Sequence, residues 1–185
     1  MPVSSAEHII LQAKRLVESD RRSEIRLNAN GGNSILVVCD PMQEPEYIDG
    51  IRKHLPDDAY SIIDLNKCLI DFITTHKSAI IELFSLLQSA TQEIFKAPPD
   101  EESQDLFKEI ISQISEAFNN KKVPVLINSG ALYGTGIDNI HIMENENVMN
   151  AAFPLIILYP ATKEADRLMF LGKRPSSKYR CMIIQ

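Results

Sequence analysis

The chain lacks most of the features by which a short protein announces its chemistry. No apolar run approaches the roughly 20 residues that a membrane-spanning helix needs. The N-terminus opens on polar, acidic and basic residues, so no secretory signal is expected. Cysteine is scarce: Cys39, Cys68 and Cys181 lie far apart, without metal-ligand spacing, each in or beside an apolar segment. They read as buried free thiols in a reducing cytoplasm. The histidines His8, His54, His76 and His141 are scattered, with no H-x-x-x-H pair to hold zinc. No G-x-S-x-G elbow surrounds Ser129, so a serine hydrolase has no support. A basic body is lacking too: the net charge is −6, which argues against broad nucleic-acid binding.

What is present is a chain of 185 residues, 44% apolar and 24% charged, sized for one domain over 1–185 with a substantial core. Its charge is uneven. Six basic residues (Lys163, Arg167, Lys173, Arg174, Lys178, Arg180) stand against two acids between 161 and 185, so this end carries +4 and the rest −10. A solvated hairpin is the plainest reading of that end; contact with DNA or an acidic partner is the alternative.

Apolar periodicity divides the chain into alternating helices and strands. Ser4 and Glu7 form a capping box ahead of a helix over 4–24, which is expected to sit at the periphery. A turn follows over 28–33, around Gly31 and Gly32. A continuous apolar run at 35–39 predicts a strand buried on both faces, 60–65 reads as a second strand, and 123–128 as a third, buried one. Between them, Tyr47, Ile48, Ile51 and Leu55 mark one helix, and Leu106, Ile110, Ile114 and Phe118 mark another. A long helical region is expected over about 67–95, broken by Pro98-Pro99. A polar helix is expected over 137–150, and then 153–185 reads as three strands punctuated by Pro154, Pro160, Gly172 and Pro175. The sum is an α/β fold: a mainly parallel sheet flanked by helices, closed by an antiparallel strand or hairpin. Asp40, Asp64 and Asn128-Ser129 then fall at strand ends, where ligands of open α/β sheets bind.

The residues at those ends fit catalysis poorly. The turn after the first strand, Asp40-Pro41-Met42-Gln43-Glu44-Pro45-Glu46, has no glycine to expose N–H groups to phosphate and no lysine. Its two prolines delete donors and its three acids repel a triphosphate. The loop from Gly130 to Gly136 lacks the third glycine of a dinucleotide fingerprint and reads as a structural turn. Asp40 and Asp64 have two readings: a Mg²⁺ or proton-sharing pair, or caps of the turn at Pro41 and of the helix near Asn66. The second is the simpler. No catalytic, metal or cofactor-binding residue is assigned.

The closing segment is more specific. The strand Pro154-Leu155-Ile156-Ile157-Leu158-Tyr159-Pro160, then Leu168, Phe170 and Gly172, then Tyr179-Arg180, resembles the C-terminal signature of the BrxB family. Cys39-Asp40-Pro41 and Gly130-Ala131-Leu132-Tyr133 resemble two further stretches of that family, in the same order along the chain. Ala161 stands where glycine is usual, and Gly134 where proline is common. BrxB proteins are small cytoplasmic components of bacteriophage-exclusion (BREX) systems, so the resemblance implies a non-catalytic adaptor on a degenerate P-loop NTPase-like fold. The implied partners are a PglZ-type protein, a BrxC-type ATPase and a methyltransferase, with indirect DNA association and no membrane. Tyr159, Arg167, Lys173, Arg174, Lys178 and Arg180 are the expected contact residues, because binding hot spots favour tyrosine and arginine, and a buried strand-end aromatic is the equal alternative for Tyr159. Two other functions compete: an enzyme using Asp40, Asp64 and the Ser129-Gly130 loop on a nucleotide or phosphoester, and a DNA-contacting accessory protein.

Overall fold

The computed structural model describes residues 4–19, 23–88, 90–98, 104–165, 167–176 and 179–185. Seven strands occur among them: β1 (Ser34–Cys39), β2 (Tyr60–Asp64), β3 (Val123–Ile127), β4 (Leu155–Glu164), β5 (Arg167–Phe170), β6 (Arg174–Pro175) and β7 (Met182–Ile184). Five of them form a parallel sheet in the order β2-β3-β4-β1-β7. The central strands are buried on both faces, as their unbroken apolar runs require. Successive side chains point to opposite faces, so Ile35, Val37 and Cys39 enter one core layer while Leu36 and Val38 enter the other.

The first layer holds α1 (Ser5–Glu18), α2 (Ser23–Asn28) and α3 (Glu44–His54). Ser4 caps α1: its hydroxyl accepts from the Glu7 N–H at 3.2 Å, and Glu7 Oε2 accepts from the Ser4 N–H at 3.4 Å. Such caps contribute about 1 kcal/mol. The same Glu7 ties α1 to α3, because Oε1 accepts from Lys53 Nζ at 2.6 Å and lies 3.2 Å from His54 Nε2. Those two partners lower its pKa to about 2. The single helix expected over 4–24 is therefore α1 plus α2, with Ser19 in extended conformation (φ −91°, ψ 166°) ending the first. Far from peripheral contact alone, α1 buries Ala6, Ile9, Ile10, Ala13 and Val17.

The second layer holds α4 (Leu65–Thr75), α5 (Lys77–Leu87), α6 (Leu106–Asn119), α7 (Asn139–Met143) and α8 (Glu146–Met149). The helical region expected over 67–95 is α4, α5 and a 3₁₀ turn, Thr91–Ile94, and not one continuous helix. A straight helix of that length would run roughly 40 Å. Instead the backbone leaves helical geometry at His76 (φ −103°, ψ 18°), whose ring sits 4.8 Å from Phe72. The segment then returns, so that Phe95 lies 6.2 Å from the same Phe72. The bend gathers aromatic rings over one buried residue. The helix expected over 137–150 is likewise two short ones, because Asn145 Oδ1 accepts from the Asn147 N–H at 3.0 Å and starts α8 afresh.

The closing strands split in two directions. β4, β5 and β6 form an antiparallel meander, as expected of the hairpin. β7 then pairs with β1, parallel, on the side away from β4. Buried Asn33, just before β1, secures the start of this arrangement. Its Nδ2 donates to the carbonyls of Val148 at 2.9 Å, Ala151 at 3.1 Å and Phe153 at 2.9 Å, which fixes the loop leading into β4. No helix among the described residues is long and apolar enough to cross a membrane.

Candidate functional site

Because β1, β2 and β3 run parallel, Asp40, Asp64 and Asn128 gather at one edge of the sheet. Their side chains are engaged locally. Asp40 Oδ1 accepts from the Met42 N–H at 2.8 Å, capping the 3₁₀ turn Pro41–Gln43. Asp64 Oδ1 accepts from the N–H groups of Asn66 at 3.0 Å and Lys67 at 3.3 Å, which caps α4. It accepts a further bond from Asn128 Nδ2 at 2.9 Å. The capping reading of both aspartates holds.

Asn128 adopts the left-handed conformation (φ 57°, ψ 39°), which asparagine tolerates better than most residues. The turn places Ser129 in the interior, fully buried, with its hydroxyl donating to the Leu158 carbonyl at 2.9 Å. Ser129 therefore pins β3 to β4 rather than facing solvent. The following loop is also structural. Thr135 Oγ1 donates to Leu132 O at 2.7 Å and accepts from the Ile137 N–H at 3.2 Å. Gly134 and Gly136 flank it at φ +89° and +79°, where a side chain would be strained.

One residue at this edge escaped the sequence reading. Glu44, in the first turn of α3, reaches toward Asn128 and Asp64, and its Oε1 is buried without a hydrogen-bond partner. Burial raises its pKa; the Asn128 backbone N–H opposes the shift and the Asp64 charge adds to it. Burial likewise pushes the nearby Cys39 thiol up to about 12, which keeps it protonated. The only sequence signal for Glu44 was three acids crowded into a proline-rich turn. Among the described residues no group of three or more His, Cys, Asp or Glu has the geometry to hold a metal ion.

The raised Glu44 pKa has a measurable sign. A carboxyl whose folded pKa lies above its unfolded 4.5 contributes stability below that pH and loses it as pH rises through the folded value. Glu44→Gln should therefore match the wild type in acid and become the more stable of the two toward neutral pH. Urea unfolding of both proteins across pH 4 to 8 checks this; parallel profiles would contradict it.

The basic end is only partly free. Arg174 forms a two-pronged pair with Asp138, at 2.7 and 3.0 Å, and so fastens β6 to the start of α7. Arg180 donates from Nε and Nη2 to the Asn30 carbonyl, both at 3.3 Å, and so fastens the approach to β7. Arg167 and Lys173 are exposed on the meander, and Lys178 lies outside the described residues. Tyr159 is fully buried, stacked on Phe170 at 4.9 Å, with its hydroxyl 3.0 Å from that of Tyr179. The expected contact set is thus divided: Tyr159 belongs to the core, Arg174 and Arg180 are exposed but bonded within the chain, and Arg167 and Lys173 are exposed on the meander. Comparison of the chain with protein-family models, with curated proteins and with solved structures finds no match.

Proposed function

We propose that the chain is a non-catalytic adaptor in a BREX-type phage-defence assembly, docking to the PglZ-type protein or the ATPase. The observation that carries the non-catalytic half is the use of the strand-end groups. Oδ1 of Asp40 and of Asp64 and the Ser129 hydroxyl, on the residues that would carry chemistry, bond the chain's own backbone or Asn128. The assembly half rests on the family resemblance of the closing segment. Within that segment Arg167 and Lys173 are the exposed cations best placed to meet an acidic partner.

Co-purification with each candidate partner tests the reading. Reversing both charges, Arg167→Glu with Lys173→Glu, should cut recovery of the partner at least about tenfold, as expected when two interfacial charges change sign. Unchanged recovery from both partners would reject this docking surface. A second reading, an enzyme acting on a nucleotide or phosphoester, is favoured by one observation: the unpartnered Glu44 oxygen beside Asp64 and Asn128.

A further inference from the structure

The two edges of the parallel sheet are finished differently. β2 borders one side and carries Ser61 and Asp64. β7 borders the other with Met182, Ile183 and Ile184, a run without the charge or proline that usually keeps an edge from pairing. Among the described residues β7 pairs with β1 alone, so the N–H and C=O groups on its far side meet no strand. A cavity of about 470 Å³ opens beside this edge, within the size range of binding sites. Met182 and Ile184 form its floor, and a stripe of α1 carrying Leu11, Arg15 and Leu16 forms a wall. That stripe flanks the positions that α1 buries in the core. Ile183 points to the opposite face of the sheet and is 47% exposed.

We infer that the β7 edge accepts an extended segment of a partner protein as a further strand, with an acidic side chain of that segment against Arg15. The backbone supplies the first reason. A free row of N–H and C=O groups is matched best by another extended backbone, from which strand addition gains its affinity. The cavity is the second. An added strand lies about 4.8 Å beyond β7, and its side chains alternate between the two faces of the sheet. One set enters the cavity against Leu11, Leu16, Met182 and Ile184, and the other lies beside Ile183. Charge is the third. Arg15 is exposed and takes part in no ion pair among the described residues, whereas Glu24, the acid that lines the cavity, already has an interaction of its own. A second copy suits this edge less well. Two-fold pairing of β7 with itself would turn the two Arg15 side chains toward each other, between bodies that each carry −6. The inference goes beyond the adaptor reading and does not require it, because β7 and α1 are separate from the meander that presents Arg167 and Lys173.

A display library of random peptides of about eight residues, selected against the full chain, tests the proposal. Enriched sequences should place apolar residues at alternate positions and carry an acid, and should bind as synthetic peptides in the micromolar range. N-methylation of every second peptide amide should weaken binding at least about tenfold in the phase that faces β7, and little in the other. Arg15→Glu should weaken binding at least about tenfold, with circular dichroism to verify the fold. Exchanging the peptide's acid for lysine should do the same on the wild type, so the charge preference is read even if the variant does not fold. Arg167→Glu with Lys173→Glu should leave peptide binding unchanged. No enriched sequence, equal binding of both N-methylated phases, or peptides indifferent to both charge changes would each overturn the proposal. So would a dimer of the chain that the peptide dissociates, which would give the edge to a second copy.

Discussion

Asn33→Asp is expected to destabilise the protein by about 3–5 kcal/mol at neutral pH, the cost of leaving a buried charge without compensation. The substitution barely changes shape. It replaces an amide that donates to Val148, Ala151 and Phe153 with a carboxylate aimed at the same three carbonyl oxygens. Attraction becomes repulsion in a site where Asn33 is 4% exposed. The introduced carboxyl would have its pKa raised by burial. Stability should therefore be regained as pH falls, and lost as pH rises above the ordinary carboxylate range. Asn33→Ala removes the donors without adding a charge and should cost less, about 1–3 kcal/mol, at every pH. Chemical unfolding of the three proteins at pH 4 and pH 7.5 separates the effects. Equal losses for both variants, without pH dependence, would mean that Asn33 does not hold these carbonyls.

Tyr159→Ala should cost about 3–5 kcal/mol, as for other large-to-small changes in a packed core. Its ring is fully buried, stacked on Phe170 and set edge-on to Tyr179 at 5.8 Å. Tyr159→Phe keeps the ring and removes only the bond between the two hydroxyls, 3.0 Å apart, so about 1 kcal/mol is expected. A midpoint shift in urea for the alanine variant no larger than for the phenylalanine variant would contradict this. The distinction matters for function, because tyrosine at this strand end reads in sequence either as a partner contact or as a buried aromatic. It is the buried aromatic: from β4 its ring packs on Phe170 of β5, and any effect of Tyr159→Ala on partner binding would come through disorder of the meander that carries Arg167 and Lys173.

Much of the fold was legible because its signals are local. The runs at 35–39 and 123–127 carry no polar side chain, as strands covered on both faces do. Ser4 and Glu7 stand three residues apart and cap as their spacing predicts. Asp64 sits next to the helix it caps. What escaped depends on distant contacts. Phe72, Ile73, Ile80, Phe84 and Leu87 keep helical spacing across the break at His76, and neither glycine nor proline marks it. The break follows from packing of Phe72, His76 and Phe95, which no window of sequence contains. The route of β7 was hidden for a similar reason: its short apolar run would suit either side of the sheet.

At the candidate site the same division applies. Strand-end polar residues could be placed because strand ends are visible in sequence. Glu44 could not, since its meaning comes from Asn128 and Asp64, brought near only by the order of the strands. The basic tail was visible as composition, but its internal use was not. Arg174 and Arg180 find Asp138 and the Asn30 carbonyl across long stretches of chain.

The most direct measurement is calorimetric titration of ATP, with and without Mg²⁺, into the full chain. An adaptor whose strand-end groups are engaged in its own hydrogen bonds should give no saturable heat up to millimolar nucleotide. Saturable micromolar binding that disappears in Asp40→Ala would contradict the account and return this edge of the sheet to chemistry.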